Sequence, residues 1–290
     1  MLLLTLLLSG CGQAAGEAAD PPGESVGQRA IQNKGSDTLV NVALAWAEAY
    51  RQVDPTVSIA VTGGGSGTGI ASLINGTVDI ANASRAMKPE EIDSAQANGI
   101  NPVEFVVAID ALAIIVHPDN PVERLTIPQL AAIYTGRITN WSQVGGNDAD
   151  IILLSRESNS GTHVYFLEEV VRGGEESEQI FAPQTLFMPS SVGITSEVRR
   201  NPNAIGYDGL GYVDPEHEKI LAIAEDENSP YYEPSVETAS NETYPIARPL
   251  YMYTAGEPTG AIQEYLDWIR SPAGQEIVAE IGFVPIEETP

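Results

Sequence analysis

Two hydrophobic patterns alternate along the chain from residue 29 onward. Short apolar or alternating runs are typical of β-strands, whereas segments with apolar residues at every third or fourth position are typical of helices. The predicted strands are residues 30–33, 57–61, 78–85, 103–117, 151–154, 204–207 and 247–253. The predicted helices are residues 39–51, 70–74, 126–134, 163–172, 259–269 and 272–278, with further helical turns from residue 89 and up to residue 201. This alternation favours an α/β fold with largely parallel sheets.

Two of the predicted strands are placed to join separate parts of the fold. Residues 103–117 hold a long apolar run that Pro118 ends, and residues 247–253 follow an acidic, proline-interrupted segment, 225–242, that predicts a loop. We expect both strands to cross between two lobes, which would close around a ligand by hinge motion. The predicted lobes are residues 29–114 with 248–290, and residues 115–247.

The segment 155–162 carries candidate chemistry. It connects a predicted strand to a helix that Ser160, Gly161 and Thr162 open. The N-terminus of a helix leaves backbone N–H groups without partners and carries partial positive charge, so it attracts anions. Arg156 in the same turn adds a charged fork that suits a tetrahedral oxyanion. The alternative is that the two hydroxyl residues only cap the helix.

Two further turns of this kind lie upstream. Residues 34–38 lead into the predicted helix 39–51, and the glycine-rich residues 63–69 lead into the predicted helix 70–74. Glycines there permit positive φ and close approach of the backbone. One such turn is usually only a loop, but three of them with hydroxyl residues predict helix N-termini that converge on one anion.

The charge of the chain narrows the class of ligand. Fourteen Lys and Arg against 40 Asp and Glu give a net charge of −26. Such a chain does not bind nucleic acid, whose binders carry basic surfaces. A small anion is not excluded, because surface charge is screened within about 8–10 Å at ordinary salt while helix N-termini and an arginine act locally.

The N-terminal segment predicts export. Its apolar run is too short to span a membrane, as in a signal peptide, and Leu8-Ser9-Gly10-Cys11 resembles a bacterial lipobox. We expect residues 1–11 to be a lipoprotein signal segment, Cys11 to be lipidated as a membrane anchor, and residues 12–28 to be a flexible tether. A basic n-region is missing, so Met1 is expected to lie inside the true gene. The alternative for the single cysteine is an ordinary buried residue.

Several short motifs together resemble one known family. They are residues 34–38, 65–69, 79–85, 134–141, 155–162, 204–207 and 282–286. In their order and spacing the chain resembles the substrate-binding subunit of the Pst-type bacterial phosphate ABC importer, over nearly all of the sequence after the tether. The resemblance implies an α/β, two-lobe, type II periplasmic-binding-protein-like fold with two chain crossings and a hinged ligand cleft.

The resemblance also implies a function. The family holds inorganic phosphate without metal or cofactor, through hydroxyls, backbone N–H groups and one arginine, and catalyses no reaction. Carried over by motif, the phosphate ligands are Thr38, the Leu39 backbone, Ser66, Arg156, Ser160, Gly161 and Thr162. We therefore expect an extracytoplasmic protein, periplasmic or anchored to the cell membrane, that acts as a monomer and delivers phosphate to ABC permease subunits.

One position departs from the family's long form. Arg85 stands where that form has an Asp that accepts the proton of hydrogen phosphate and thereby repels sulfate. Arg85 is expected to strengthen anion binding instead, and Asp37 becomes the candidate proton acceptor, with Glu157 second. The alternatives are a helix cap for Asp37 and a surface ion pair for Arg85.

Other functions stay open at this stage. The same fold could take sulfate, molybdate or a phosphonate, or carry a vestigial pocket in an adhesion or sensing lipoprotein. A phosphate-ester hydrolase would need a nucleophile, but Ser66 lacks the second glycine of G-x-S-x-G and the chain has no Walker A spacing. His117, His163 and His217 show no metal-ligand spacing, and His163 is a candidate base or, more commonly, a structural histidine.

Overall fold

Residues 30–286 are described by the structure, a computed structural model. The strands are β1 (Ala30–Gly35), β2 (Ser58–Thr62), β3 (Ile80–Ala83), β4 (Val103–Val116), β5 (Arg124–Thr126), β6 (Ile152–Arg156), β7 (Leu186–Met188), β8 (Ala204–Gly209), β9 (Lys219–Ile220), β10 (Ala222–Ala224) and β11 (Ala247–Thr254). The helices are α1 (Val40–Val53), α2 (Ser66–Ile74), α3 (Pro89–Ala97), α4 (Ile127–Tyr134), α5 (Gly161–Tyr165), α6 (Ser191–Arg200), α7 (Val236–Ser240), α8 (Ala261–Ile269) and α9 (Pro272–Glu280). The predicted signal segment, Cys11 and the whole predicted tether lie outside the described residues.

One mixed sheet runs through the molecule, in the order β2-β1-β3-β11-β4-β8-β6-β7, and β9 also pairs with β4. At each end of the sheet neighbouring strands are parallel, as expected for strands joined through helices. Around the two long strands, however, the pairs β3·β11, β11·β4 and β4·β8 are antiparallel. The expectation of largely parallel sheets is therefore wrong for the centre, where the chain crosses out along β4 and returns along β11.

The long strand β4 changes its partner midway. It pairs with β11 up to Ala111, opposite Ala247, and with β8 from Leu112, opposite Gly209. We use this change to name two parts of the molecule: lobe 1 is residues 30–111 and 247–286, and lobe 2 is residues 112–246. The boundary at residue 114 predicted from the sequence lies in the same strand.

Each lobe has its own apolar core. In lobe 1, α1, α8 and α9 pack on the sheet around Trp46, whose indole N–H donates to the Gly274 carbonyl at 2.8 Å. In lobe 2, the core surrounds Trp141 and a stack of Phe166 on Tyr207 with ring centroids 3.8 Å apart. These two tryptophan rings are structural, because their apolar bodies are buried and their N–H groups donate to backbone carbonyls.

Local sequence accounts for most helix boundaries. Helix α4 begins with a capping box in which Thr126 and Gln129 satisfy each other's backbone N–H groups, and α3 begins at Pro89. Three elements differ more clearly from the prediction. The helix expected over residues 163–172 is α5 followed by a π-helical segment, Phe166–Val171. Helix α2 starts inside the glycine-rich turn, directly after Gly65 with φ of 87°, and α7 lies within the segment expected to be a loop.

Among the described residues, no helix has the length and the apolar character needed to cross a membrane.

Candidate functional site

The three predicted anion-binding turns meet between the lobes. Thr38 from lobe 1 and Thr162 from lobe 2 bring their hydroxyl oxygens to 2.9 Å of each other. The glycine-rich turn of lobe 1 reaches lobe 2 through the Gly67 N–H, which donates to the Asn159 carbonyl at 3.0 Å, and the Asn159 amide donates back to the Gly64 carbonyl at 3.0 Å. The strand ends β1 and β6 and the start of α2 therefore form one polar cluster.

Gly161 lies close against lobe 1. A Cβ at this position would lie 2.4 Å from the Ser66 hydroxyl and 2.6 Å from the Ser84 hydroxyl, both in lobe 1. Ser66 in turn accepts a hydrogen bond from the Ser84 backbone N–H at 3.0 Å. Only glycine permits this spacing, since a side chain would hold the two lobes apart.

Ser160 caps a helix, which is the alternative role that the sequence left open for it. Its hydroxyl accepts from the Thr162 backbone N–H at 3.2 Å, so it caps the short helix α5. Leu39 is fully buried, and its N–H donates to the Ser36 carbonyl at 3.2 Å within a 3₁₀ turn that precedes α1. Both residues lie in the converging turns, and in the structure these polar groups serve the turns themselves.

Arg156 is buried at the end of β6, with 1% of its side chain exposed. One terminal nitrogen, Nη2, lies 2.7 Å from Asp37 Oδ2 and donates to the Pro189 carbonyl, and the other, Nη1, donates to the Ser191 hydroxyl at 3.0 Å. Its Nε has no protein partner. A buried guanidinium with a donor to spare, beside two helix starts, can hold an oxyanion.

Asp37 links the two lobes rather than capping a helix. Its Oδ2 accepts from Arg156 of lobe 2, while its Oδ1 accepts from the Gly64 N–H of the glycine-rich turn at 3.1 Å. Glu157, the second candidate acceptor, is exposed. Of the two carboxylates, Asp37 is the one that lies against the candidate anion-binding arginine.

Arg85 is turned toward Glu91 at the start of α3. Its two terminal nitrogens lie 2.7 Å from the two carboxylate oxygens, and Nη1 also donates to the Ala86 carbonyl. Burial alone would raise the pKa of Glu91, but hydrogen bonds from Arg85 and from the Lys88 N–H outweigh it and lower that pKa. Arg85 is thus in an ion pair, as the alternative held, although the pair is largely buried and lies beside Gly67.

A second buried arginine was missed by the sequence reasoning. Arg248 on β11 lies directly opposite Asp110 on β4, with Nη2 at 2.9 Å from Asp110 Oδ2. The same nitrogen donates to the Thr162 hydroxyl at 2.8 Å. Burial raises the pKa of Asp110, although Arg248 opposes the shift. The sequence did contain a signal for this pair, namely one charged residue inside each of the apolar strands β4 and β11. A buried charge requires a partner, so the two charges could have been expected to meet.

Asp208 forms a further buried carboxylate behind Arg156. Its Oδ1 accepts from the Ser191 hydroxyl at 2.9 Å and from the Gly209 N–H at 2.8 Å. Burial raises the pKa of Asp208 to about 6, even though the nearby Arg156 favours its ionised form. The cluster thus holds the three carboxyl groups of Asp37, Asp110 and Asp208 near the two arginines Arg156 and Arg248.

The histidines are structural or peripheral. His163 is buried and its Nδ1 lies 2.8 Å from the Arg156 carbonyl, which requires Nδ1 to carry a proton and to donate it. Burial lowers the pKa of this ring, so it is neutral and braces the strand end that carries Arg156. Ser155 Oγ lies 3.3 Å from the same nitrogen, but this oxygen is fully buried and already bonded to the Tyr207 hydroxyl at 2.6 Å, so the pair is not a nucleophile and its base.

Among the described residues, one group could hold a metal ion: Asp214, Glu216 and His217, whose ligand atoms lie within 4.8 Å of one another. The sequence reasoning did not expect a site there. The group is largely exposed, and Arg199 lies 4.0 Å from Asp214, which places a competing cation at the carboxylate.

The arrangement is built for binding. Hydroxyls and buried guanidinium groups converge from both lobes, whereas the described residues of the cluster offer no accessible nucleophile next to a base. A mixed α/β fold with two chain crossings and a polar cluster of this kind between its lobes defines a solute-binding protein of the periplasmic type.

Comparison with known proteins gives the family. The model described as PBP superfamily domain matches residues 18–273. Phosphate-binding protein PstS of Pseudomonas aeruginosa is 34% identical over 99% of this chain and 94% of its own length, and PstS of Bacillus subtilis is 30% identical over 99% and 92%. The chain belongs to the family of PstS phosphate-binding proteins, which are not enzymes.

Solved structures agree with this assignment. A chain from Clostridium perfringens, described as a phosphate ABC transporter substrate-binding protein with bound phosphate, superposes with a TM-score of 0.80 at 35% identity, over 89% of this chain and 100% of that chain. A phosphate transport receptor from Vibrio cholerae gives 0.70 at 31% identity, over 89% and 100%. The family and fold class predicted from the sequence are confirmed, and the hydrolase alternative is wrong.

Proposed function

We propose that this protein binds inorganic phosphate where the three turns meet between the lobes. The chain is a phosphate-binding protein of the ABC-transporter type, as its family defines. The observation that supports the place of binding is the buried Arg156 with an unused Nε, set among hydroxyls from both lobes. Phosphate oxygens would replace the present contacts among these groups.

Each predicted ligand then has a stated role. Arg156 supplies the positive charge. The hydroxyls of Thr38, Ser66 and Thr162 donate hydrogen bonds. The starts of α1, α2 and α5 supply N–H groups and partial positive charge. The N–H groups of Leu39 and Gly161 and the hydroxyl of Ser160 complete the set proposed from the sequence. Arg85 acts at the edge of the site, because Glu91 holds both of its terminal nitrogens.

The proposal extends to the cellular location of the protein. A substrate-binding protein of this family works outside the cytoplasm and hands phosphate to the permease subunits of its importer. Cys11, with the apolar segment before it, would anchor the chain through lipid, and residues 12–28 would let the lobes reach the permease.

Calorimetric titration of the delipidated protein with phosphate, sulfate and molybdate tests the function. We expect phosphate to bind most tightly.

Arg156→Ala should weaken phosphate binding by at least about 2–3 kcal/mol, because it removes a charge-assisted contact to a desolvated anion. Arg200→Ala, at an exposed ion pair on α6, is the matched control and should bind like the parent. Tighter binding of molybdate or sulfate would assign another ligand, and an unchanged Arg156→Ala would place the site elsewhere.

A further inference from the structure

Arg248 reaches the predicted phosphate ligands from the crossing strands. It lies on β11 with 2% of its side chain exposed, is held by Asp110 across the strand pair, and donates through Nη2 to the Thr162 hydroxyl at 2.8 Å. Thr162 is also 2.9 Å from Thr38 in lobe 1. A continuous chain of contacts therefore runs from Asp110 through Arg248 and Thr162 to Thr38.

The chemistry of these groups fixes the direction of the contact between Arg248 and Thr162. A guanidinium only donates hydrogen bonds, whereas a hydroxyl has one hydrogen to give and two lone pairs to accept. Thr162 must therefore accept from Arg248, and neither threonine hydrogen can point back toward the arginine. In the contact between the two hydroxyls either one can donate. When an oxyanion replaces that contact, the Thr162 hydrogen is available to it.

The packing around the pair keeps these groups in place. The Asp110 carboxylate also accepts from the Leu210 N–H at 3.2 Å. A Cβ at Gly209 would lie 2.9 Å from Asp110 Oδ1 and 3.1 Å from a methyl of Thr38, so glycine is needed for their approach. Arg248 also lies over the Tyr165 ring, 5.1 Å from its centroid.

We propose that Arg248 is a positioning residue of the anion site, which holds the Thr162 hydroxyl as an acceptor so that its hydrogen is directed away from the arginine and can be donated to the bound oxyanion. The inference rests on the proposed function, since it takes phosphate to bind at these turns. Asp110 holds the guanidinium in the required orientation.

A double-mutant cycle tests this role. Arg248→Met should weaken phosphate binding about tenfold, the loss expected for a contact to a charged ligand. In a Thr162→Val background, which has no hydroxyl to orient, the same substitution should weaken binding less than about twofold further. Affinities are measured by calorimetry, and circular dichroism and the thermal midpoint report folding for each variant.

Two further variants make the result decisive. Arg199→Met breaks another ion pair, to the buried Glu218 at 2.6 Å, and should lower stability without changing phosphate affinity. If Arg248→Met does not fold, Arg248→Lys, which keeps a cation for Asp110, is taken through the same cycle with the same expectation.

The outcomes separate the two proposals. Equal losses with and without the Thr162 hydroxyl, or phosphate affinity within twofold of the parent in the folded Arg248 variant, would overturn the positioning role while the function stands. A parent protein and an Arg199→Met control that both fail to bind phosphate would overturn the function itself.

Discussion

At the scale of single residues, the site is a set of charges whose partners come from different parts of the chain. Arg156 meets Asp37, Arg248 meets Asp110 and Arg85 meets Glu91, each at 2.7 to 2.9 Å. Such buried pairs contribute little net stability, because desolvation offsets much of their attraction. Their value lies in orientation, since each fixes a guanidinium beside the converging turns.

Asp37 is where discrimination between anions can be tested. Hydrogen phosphate has a proton to donate, whereas sulfate at neutral pH has none and faces only repulsion from a carboxylate. Asp37→Asn should therefore bind sulfate more tightly and lower the preference for phosphate. Competition titration measures the ratio, and Glu157→Gln is the comparison variant. An unchanged ratio in the Asn variant would remove Asp37 from the acceptor role, and a change in the Gln variant instead would assign it to Glu157.

The raised pKa of Asp208 predicts how the stability of the protein depends on pH. Its pKa of about 6 in the folded protein lies above the value of roughly 4 for an unfolded aspartate, mainly because it is buried. The folded state therefore binds more protons between these values, so this residue's contribution to stability is lost as the pH rises through about 6. The neighbouring Arg156, Ser191 and Asp110 set the size of the effect.

Asp208→Asn should remove that loss. Relative to the parent, the free energy of unfolding of the variant should increase between about pH 4 and pH 7, as measured by urea denaturation at each pH. A difference between parent and variant that stays constant with pH would mean that Asp208 keeps an ordinary pKa.

At the scale of the elements, the start of α5 decides how closely the lobes approach. Gly161→Ala adds a Cβ that would meet the hydroxyls of Ser66 and Ser84 at 2.4 and 2.6 Å. Alanine also favours a helix over glycine by about 1 kcal/mol. The overlap with the two buried hydroxyls opposes that gain, so the variant should be no more stable than the parent and should bind phosphate several-fold more weakly.

Calorimetry and thermal denaturation of Gly161→Ala check the two effects together. Gly256→Ala is the control, because a Cβ there meets nothing within 4 Å. Parent-like phosphate affinity in the Gly161 variant would mean that binding does not require the contact between α5 and the glycine-rich turn.

The elements also show what sequence patterns could predict. The long strand β4, the return strand β11 and the helices α1, α4, α8 and α9 follow from periodicity and capping, with ends shifted by a residue or two. The short strands β5, β7, β9 and β10 have two or three residues each and leave no period to detect. They exist because neighbouring strands supply hydrogen-bond partners.

The candidate site also has a part that sequence patterns predict and a part that they do not. Turns made of glycine and hydroxyl residues next to a strand are visible locally, so Thr38, Ser66 and the residues from Arg156 to Thr162 could be found. Arg248 and Asp110 are 138 positions apart and meet only because β4 and β11 pair in one register. Their partnership is a property of the sheet, which no local pattern contains.

At the scale of the whole molecule, local and long-range electrostatics act in opposite senses. The net charge is −26, and the arginines at the site are each matched by a carboxylate within about 3 Å, so they add little to the field at a distance. An approaching anion therefore meets a repelling surface before it reaches donors that favour it. Surface charge of this kind acts on the association rate more than on the final affinity.

Raising the concentration of an inert salt should therefore speed the capture of phosphate. Screening shortens the reach of the repulsion from about 30 Å at low ionic strength to about 8 Å near physiological values, while the buried contacts of the bound state are screened much less. Stopped-flow measurement of binding in increasing potassium chloride should show an association rate that rises, or at least does not fall, with a nearly constant dissociation rate. A steep fall would instead require a positive path into the cleft, which the neutralised arginines do not provide.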